Sequence, residues 1–305
     1  MKLKKFHVVT MLTNPVRYKS RTRLYKKFAE TMKRQGIDLW TVEVAFGQRK
    51  FVTDKNNPRN LQMRSVDELW QKESAINLLV QRFPDDWEYV AVVDADIDFI
   101  QYPCGGWLKE AWHQLQHYEV VQMWQSAIDM SHSGGVMQTH MSFMYAYLHG
   151  IPHKGTYAQY AHPGYAWAYT KKAWNGMGGL IDWAILGSGD HHIACSLIGR
   201  GADSVPSDLH PEYLKRTKAW EANALATINK DVGYLPTTIR HNFHGPKKSR
   251  GYWSRWDILK QTGFDPDLDL KRDHNGLWQL TDRNPSLRDG IRKYFRSRNE
   301  DGIDS

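Results

Sequence analysis

Tyr89-Val90-Ala91-Val92-Val93-Asp94-Ala95-Asp96-Ile97-Asp98-Phe99 decides how this chain is read. Five residues with no formal charge, mostly β-branched or small, run straight into carboxylates. Such a run reads as a buried strand that ends in acid. Two carboxylates spaced i, i+2 at a strand end can share one hard cation, and that cation can also hold a diphosphate. Upstream, Val66 to Phe83 carries an apolar face at Leu69, Ile76, Leu79, Val80 and Phe83 and predicts a helix. Leu39 to Phe46 predicts a second strand. Ser20 to Gln35 predicts a helix capped by Ser20 and ended by Gly36. Phe6 to Leu12 predicts the first strand. Strand, helix, strand, helix, strand opens a mostly parallel sheet, and the ligands of such a sheet sit at the carboxyl ends of its strands. Asp94 lies at one of those ends.

Downstream the pattern continues with a helix from Trp107 to about His117 and strands at 120–124 and 165–169. Helices are expected at 190–198 and 211–229, and a single strand at 233–243. Residues 47–65 read as a basic loop, and 126–160 as a long irregular segment rich in Gly, His, Met and Ser. From Gly251 the chain is basic, with short helices and loops. The 305 residues, 41% hydrophobic and 12% aromatic, suffice for a large folded core. No apolar run approaches the roughly 18–20 residues of a membrane helix. The N-terminus has charge but no apolar core, so it does not read as a signal peptide. Two distant cysteines, Cys104 and Cys195, exclude a disulfide scaffold and a cysteine-rich zinc module. A cytoplasmic, reduced setting is expected. The net charge of +8 suits phosphate-bearing partners.

Four segments, in order, carry a resemblance. They are Val9-Thr10-Met11-Leu12 with its polar loop; Lys72-Glu73-Ser74-Ala75-Ile76-Asn77 followed by the strand into Asp94-Ala95-Asp96; Gly164 to Tyr169 with Gly178-Gly179-Leu180-Ile181-Asp182 and Gly187-Ser188-Gly189-Asp190; and His241-Asn242-Phe243-His244-Gly245. The chain resembles a nucleotide-sugar glycosyltransferase of the GT-A fold over residues 6–250. The resemblance implies an α/β domain over about 1–250, with a Rossmann-type, mostly parallel sheet sandwiched by helices. Its nucleotide-binding half covers about 1–100 and its acceptor half about 101–250. A basic C-terminal extension, 251–305, packs on it.

The resemblance implies Mn²⁺ or Mg²⁺ on Asp96, with Asp94 nearer the ribose and His244 completing the metal site. His241 competes for that place, since both histidines end one strand. Asp190 falls where related enzymes carry the acid facing the acceptor, and is the expected base. It is equally placed to cap the following helix. This chain has Gly189-Asp190 where many relatives have Glu-Asp, which leaves inverting or retaining chemistry open. Gly178 and Gly179 match a pair that lets backbone approach the donor sugar. Thr10, Arg17, Glu43, Lys72 and Ala95 are expected around the nucleotide, most simply that of a UDP-sugar. Lys247, Lys248 and Arg250 follow His244, where cations can meet the diphosphate.

The resemblance does not name the acceptor. A basic chain whose last third holds Arg283, Arg288, Arg292, Lys293, Arg296 and Arg298 permits a polyanion. A phage-type enzyme that glycosylates a hydroxymethylated DNA base fits, acting in the host cytoplasm. An enzyme working on a cell-surface glycan precursor is the rival. In a different class stands a metal-dependent phosphoesterase using Asp94, Asp96, Asp190, His191, His192 and His244 around two metals.

Overall fold

The computed structural model describes residues 3–102, 104–151 and 161–303. In chain order the elements are β1 (Phe6–Thr13), α1 (Lys19–Arg34), β2 (Leu39–Phe46), β3 (Asn60–Ser65), α2 (Lys72–Val80), β4 (Tyr89–Val93), β5 (Ile97–Phe99), α3 (Gly106–Gln114), β6 (Val120–Gln122), β7 (Ser126–Met130), β8 (Val136–Ser142), α4 (Phe143–Leu148), β9 (Ala161–His162), β10 (Ala166–Thr170), α5 (Lys171–Met177), α6 (Gly189–Leu197), α7 (Pro211–Ile228), β11 (Val232–Tyr234), β12 (Thr238–His241), α8 (Arg255–Gln261), β13 (Leu270–Arg272), β14 (Trp278–Leu280) and α9 (Pro285–Ser297).

Seven strands form the main sheet in the order β11-β6-β10-β4-β1-β2-β3. Every pairing is parallel except those of β10, which runs against β4 and β6. The expected α/β class with a mostly parallel sheet is therefore what the chain adopts. Both faces of the sheet are covered. Val9, Val42, Val44, Val90 and Val92 belong to one buried cluster, and Val8, Ala91 and Val93 to another. Alternate residues of a strand point to opposite faces, so a strand buried on both sides must be apolar throughout, as β4 is. A second sheet, β5-β12-β7-β8-β9, stands beyond the end of β4. It carries the residues that face Asp96.

Several sequence expectations change. The predicted loop at 47–65 contains β3, which pairs in parallel with β2. The helix expected from Val66 begins only at Lys72, because the preceding backbone is used elsewhere: Trp70 N–H donates to the carbonyl of Ile185 at 2.8 Å. The segment 126–160 is not irregular over its first part. Residues 126–151 hold the β7–β8 hairpin and α4, while 152–160 lie outside the described residues. The single strand expected at 233–243 splits into β11 and β12, in different sheets, at Leu235-Pro236-Thr237. Ser20 does not cap α1. Its first N–H groups, from Lys19 and Ser20, donate to the Asp301 carboxylate at 2.7 and 2.8 Å. A carboxylate there satisfies orphan donors and complements the helix dipole.

That contact belongs to a larger one. The C-terminal extension joins the molecule through a third apolar cluster, in which Trp256, Leu259, Phe264, Leu287, Ile291 and Phe295 pack with Leu69, Ile185, Leu186 and Tyr213. The chain then returns to the end of β12. Gly245 has φ +90°, and a Cβ there would come within 2.6 Å of Glu300 Cα, so only glycine admits the tail. The extension's cations are largely neutralised inside the chain: Arg283 on Asp269, Arg288 and Arg292 on Asp289, Arg296 on Glu68 and Arg298 on Glu300. They form no open basic face. Among the described residues no helix is long and apolar enough to cross a membrane.

Candidate metal and substrate site

The carboxyl end of β4, the start of α2, the first turn of α6 and the end of β12 converge on one cavity of about 190 Å³. Asp94, Ala95, Asp96, Lys72, Glu73, Asp190, His241 and His244 line it, with Arg250, Tyr252, Arg255 and Arg298 from the C-terminal side.

At one end three ligand atoms meet. Asp96, His241 and His244 each offer one atom, all within 4.8 Å of one another, and they are the one such group among the described residues. His244 Nε2 lies 3.1 Å and His241 Nε2 3.8 Å from Asp96 Oδ2. The two Nε2 atoms are 3.2 Å apart. The other nitrogen of His241, Nδ1, lies 2.7 Å from Asp129 Oδ1. A carboxylate can only accept, so Nδ1 carries the proton and Nε2 is left to bind a cation. Asp96 Oδ1 is buried without a hydrogen-bond partner. An orphaned buried carboxylate oxygen beside two converging imidazoles fits a divalent cation.

Burial would raise the Asp96 carboxyl, but the two histidines hold it well below the usual carboxylate range. Burial, with Arg250 nearby, pushes His244 down to about 4, so its imidazole is neutral as a ligand must be.

Asp129 was not foreseen. It is fully buried on β7 and holds His241, His140 (Nε2 at 2.7 Å), the Tyr165 hydroxyl (3.0 Å) and the Lys247 ammonium. The one signal in the sequence was its phase: Ala127 and Asp129 occupy the buried alternation of a short strand. Asp129→Asn keeps the shape but removes the charge that orients His241. We expect Mn²⁺ affinity to fall about 10–100-fold, measured by calorimetry with circular dichroism unchanged. Wild-type affinity in a folded variant would show that Asp129 serves packing alone.

The expected residues divide. Asp96, Asp94, Ala95, Lys72, Asp190, His244 and Arg250 come together. Asp94 does not join the ligand group, because its Oδ1 is paired with the Lys72 ammonium. Thr10 lies beneath the sheet end, its hydroxyl donating to Val93 O at 2.7 Å. Glu43 is spent: its oxygens accept from Val52 N, Thr53 N and Thr53 Oγ1 at 2.7–2.9 Å, pinning the loop after β2. Arg17 lines a neighbouring concavity instead. Lys247 stands behind His241 on Asp129 and Gln138. Gly178 and Gly179 end α5; a Cβ on Gly179 would meet Asn77 Oδ1 at 2.7 Å, and the Asn77 amide brackets Leu180. Neither glycine reaches the cavity wall. The two-metal set is not assembled, since His192 is buried against Ser204 and Tyr213.

Asp190 sits in the first turn of α6, not at its cap, which is Ser188. Its Oδ1 accepts from His191 N at 2.9 Å. Its Oδ2 lies so near the backbone that a Cβ on Gly164 would stand 2.7 Å from it. Beneath it is Glu73, whose carboxyl burial pushes up to about 8, with Asp190 adding to the shift.

The sign follows. A carboxyl whose folded pKa lies above its ordinary 4.5 favours folding fully below about 4.5, and that contribution is lost as pH rises through about 8. Glu73→Gln should therefore gain on wild type by up to a few kcal/mol between pH 5 and 9. Thermal unfolding at the two values checks this, and parallel curves would sink it.

No family model matches the chain, and no curated protein matches it in sequence. Among solved structures it is distantly similar to the catalytic domain of Drosophila beta1,4-galactosyltransferase 7 in complex with xylobiose, at 13% identity and TM-score 0.32, covering 65% of this chain and 61% of that one. A mutant of that enzyme in complex with manganese, UDP-Gal and xylobiose gives 12% identity, TM-score 0.33 and the same coverage. Rv0371c from Mycobacterium tuberculosis gives 9% identity and TM-score 0.28, over 43% of this chain and 68% of that one. The chain spans about three fifths of the galactosyltransferase chains it matches.

Proposed function

We propose that this protein is a metal-dependent glycosyltransferase that moves a sugar from a nucleotide-sugar donor, a UDP-sugar in the first instance, to a hydroxyl. One observation carries the reading: Asp96, His241 and His244 converge at the end of a central parallel strand, in the same cavity as Asp190. Two imidazoles and one carboxylate suit Mn²⁺ better than Mg²⁺, which prefers oxygen ligands. A divalent cation held there supplies charge neutralisation for a departing diphosphate.

The chain's own residues do the rest. Arg250 donates to His244 Nε2 at 3.2 Å. It must leave that nitrogen when a cation binds, which frees its guanidinium for a phosphate oxygen. Lys72 keeps Asp94 ionised and fixed. Asp190 takes the proton of the acceptor hydroxyl, and Glu73 beneath it stays neutral at pH 7, so it adds no repelling charge. Hydroxymethylated DNA is the first acceptor to try.

The test is release of nucleoside diphosphate from a panel of nucleotide sugars with Mn²⁺ or Mg²⁺. Slow release from a UDP-sugar with Mn²⁺ is expected. If no nucleotide sugar binds by calorimetry, the reading fails.

A further inference from the structure

The chain's positive charge is not spread over it. Residues 1–65 hold 16 Lys and Arg against four Asp and Glu, whereas residues 66–305 hold 25 against 29. The whole basic excess therefore lies in the segment that builds β1, α1, β2 and β3.

Part of it surrounds a second concavity, of about 630 Å³, which shares Leu12 of β1 with the first cavity. Arg17, Lys19, Arg23, Lys26, Arg49 and Lys50 line it. Its one carboxylate, Glu43, is consumed by backbone and hydroxyl donors. Arg17, Lys19, Arg23, Lys26 and Lys50 make no ion pair among the described residues. Two features shape the site beyond surface charge. Arg17 stands at φ +67°, a conformation costly for a side-chain-bearing residue. Arg49 is anchored by donating to the carbonyls of Asn14 and Pro15 at 2.6 and 2.7 Å.

The charge also runs on. Lys19, Arg23, Lys26 and Lys33 repeat at helical spacing along one exposed face of α1, a line about 21 Å long at 1.5 Å per residue. A row of cations that begins in a concavity and continues along a helix matches a linear polyanion better than a single small anion. A flat membrane would not enter the concavity.

We propose that this surface binds a linear phosphodiester chain, a single nucleic-acid strand or a polyol phosphate, and holds it beside the first cavity. That such a chain carries the acceptor hydroxyl rests on the transferase reading; that it binds does not.

Anisotropy of a short fluorescein-labelled oligodeoxythymidylate tests it without turnover, with unlabelled poly(glycerol phosphate) as competitor. Binding is expected to fall about 100-fold between about 50 and about 200 mM salt if about five phosphates are contacted. The double variant Arg23→Glu, Lys26→Glu should lose at least tenfold in affinity while UDP and Mn²⁺ binding stays unchanged. The control Lys109→Glu, Lys218→Glu, with the same change in net charge on other exposed sites, should bind as wild type. Either polymer binding in this way supports the proposal, and their order of affinity names the source. Equal affinity of the two double variants would overturn it. So would full displacement by stoichiometric UDP with Mn²⁺, which would give the concavity to the donor, or capture by phosphatidylglycerol vesicles with neither polymer bound.

Discussion

Asp96→Ala is expected to abolish Mn²⁺ binding and to lower UDP release from the donor by about 1,000-fold or more. Asp96 supplies the one negative charge in the ligand group; His241 and His244 supply neutral nitrogens. Without it, two imidazoles alone must hold the ion, and the diphosphate loses most of the charge that steadies its departure. A thousandfold loss corresponds to about 4 kcal/mol of transition-state stabilisation, within what a Lewis-acid cation supplies. The fold should survive, because Asp96 Oδ1 has no hydrogen-bond partner and its removal relieves a buried charge. Asp94→Ala separates the two acids. Asp94 answers to Lys72, so its loss should leave Mn²⁺ affinity within about tenfold of wild type and act on donor binding. Calorimetry with Mn²⁺ alone decides this without turnover. Wild-type Mn²⁺ affinity in Asp96→Ala would remove the metal site, and equal loss in both variants would return Asp94 to it.

The alternating pattern from Phe6 to Val93 was legible because strands buried on both faces must be apolar, and β1, β2 and β4 fall where that rule places them. Asp96 and His244 were legible because acid at a strand end and histidine after a late strand are local signals. Glu43 and Thr10 were misplaced for the opposite reason. Their types suit a nucleotide, but the hydrogen bonds that consume them come from residues 9 to 83 positions away. Asp129 was hidden in a segment whose mixed composition masked a hairpin, and its partners lie on β8, β10, β12 and the turn after it. The tail was read as a basic appendage because charge in a sequence carries no partners. In the fold Glu300 sits 2% exposed between Arg21 and Arg298, both on the cavity wall, and Asp301 caps α1. The last described residues thus help build the site that the first strand begins. No periodicity reports a contact across 279 positions.

Asp190→Asn should lower kcat for transfer by about 100- to 10,000-fold while leaving the affinities for Mn²⁺ and UDP in place. The argument is one of position. Asp190 shares the cavity with the metal-binding group but belongs to another element, α6, and is not one of its three ligands. One oxygen is engaged by the His191 amide and the other is held close over Gly164, so the side chain has little freedom to turn away. Asparagine preserves that shape and the amide contact but cannot take a proton. A base is needed when an acceptor hydroxyl attacks and is less needed when water does. The variant should therefore lose transfer much more than it loses slow donor hydrolysis, and the ratio of the two rates is the diagnostic. Proportionate loss of both would mean that Asp190 positions the donor or stabilises the helix start. Unchanged transfer would move the search for the base to another wall of the cavity, and Gly164→Ala, which must displace Asp190 Oδ2, should then be equally silent.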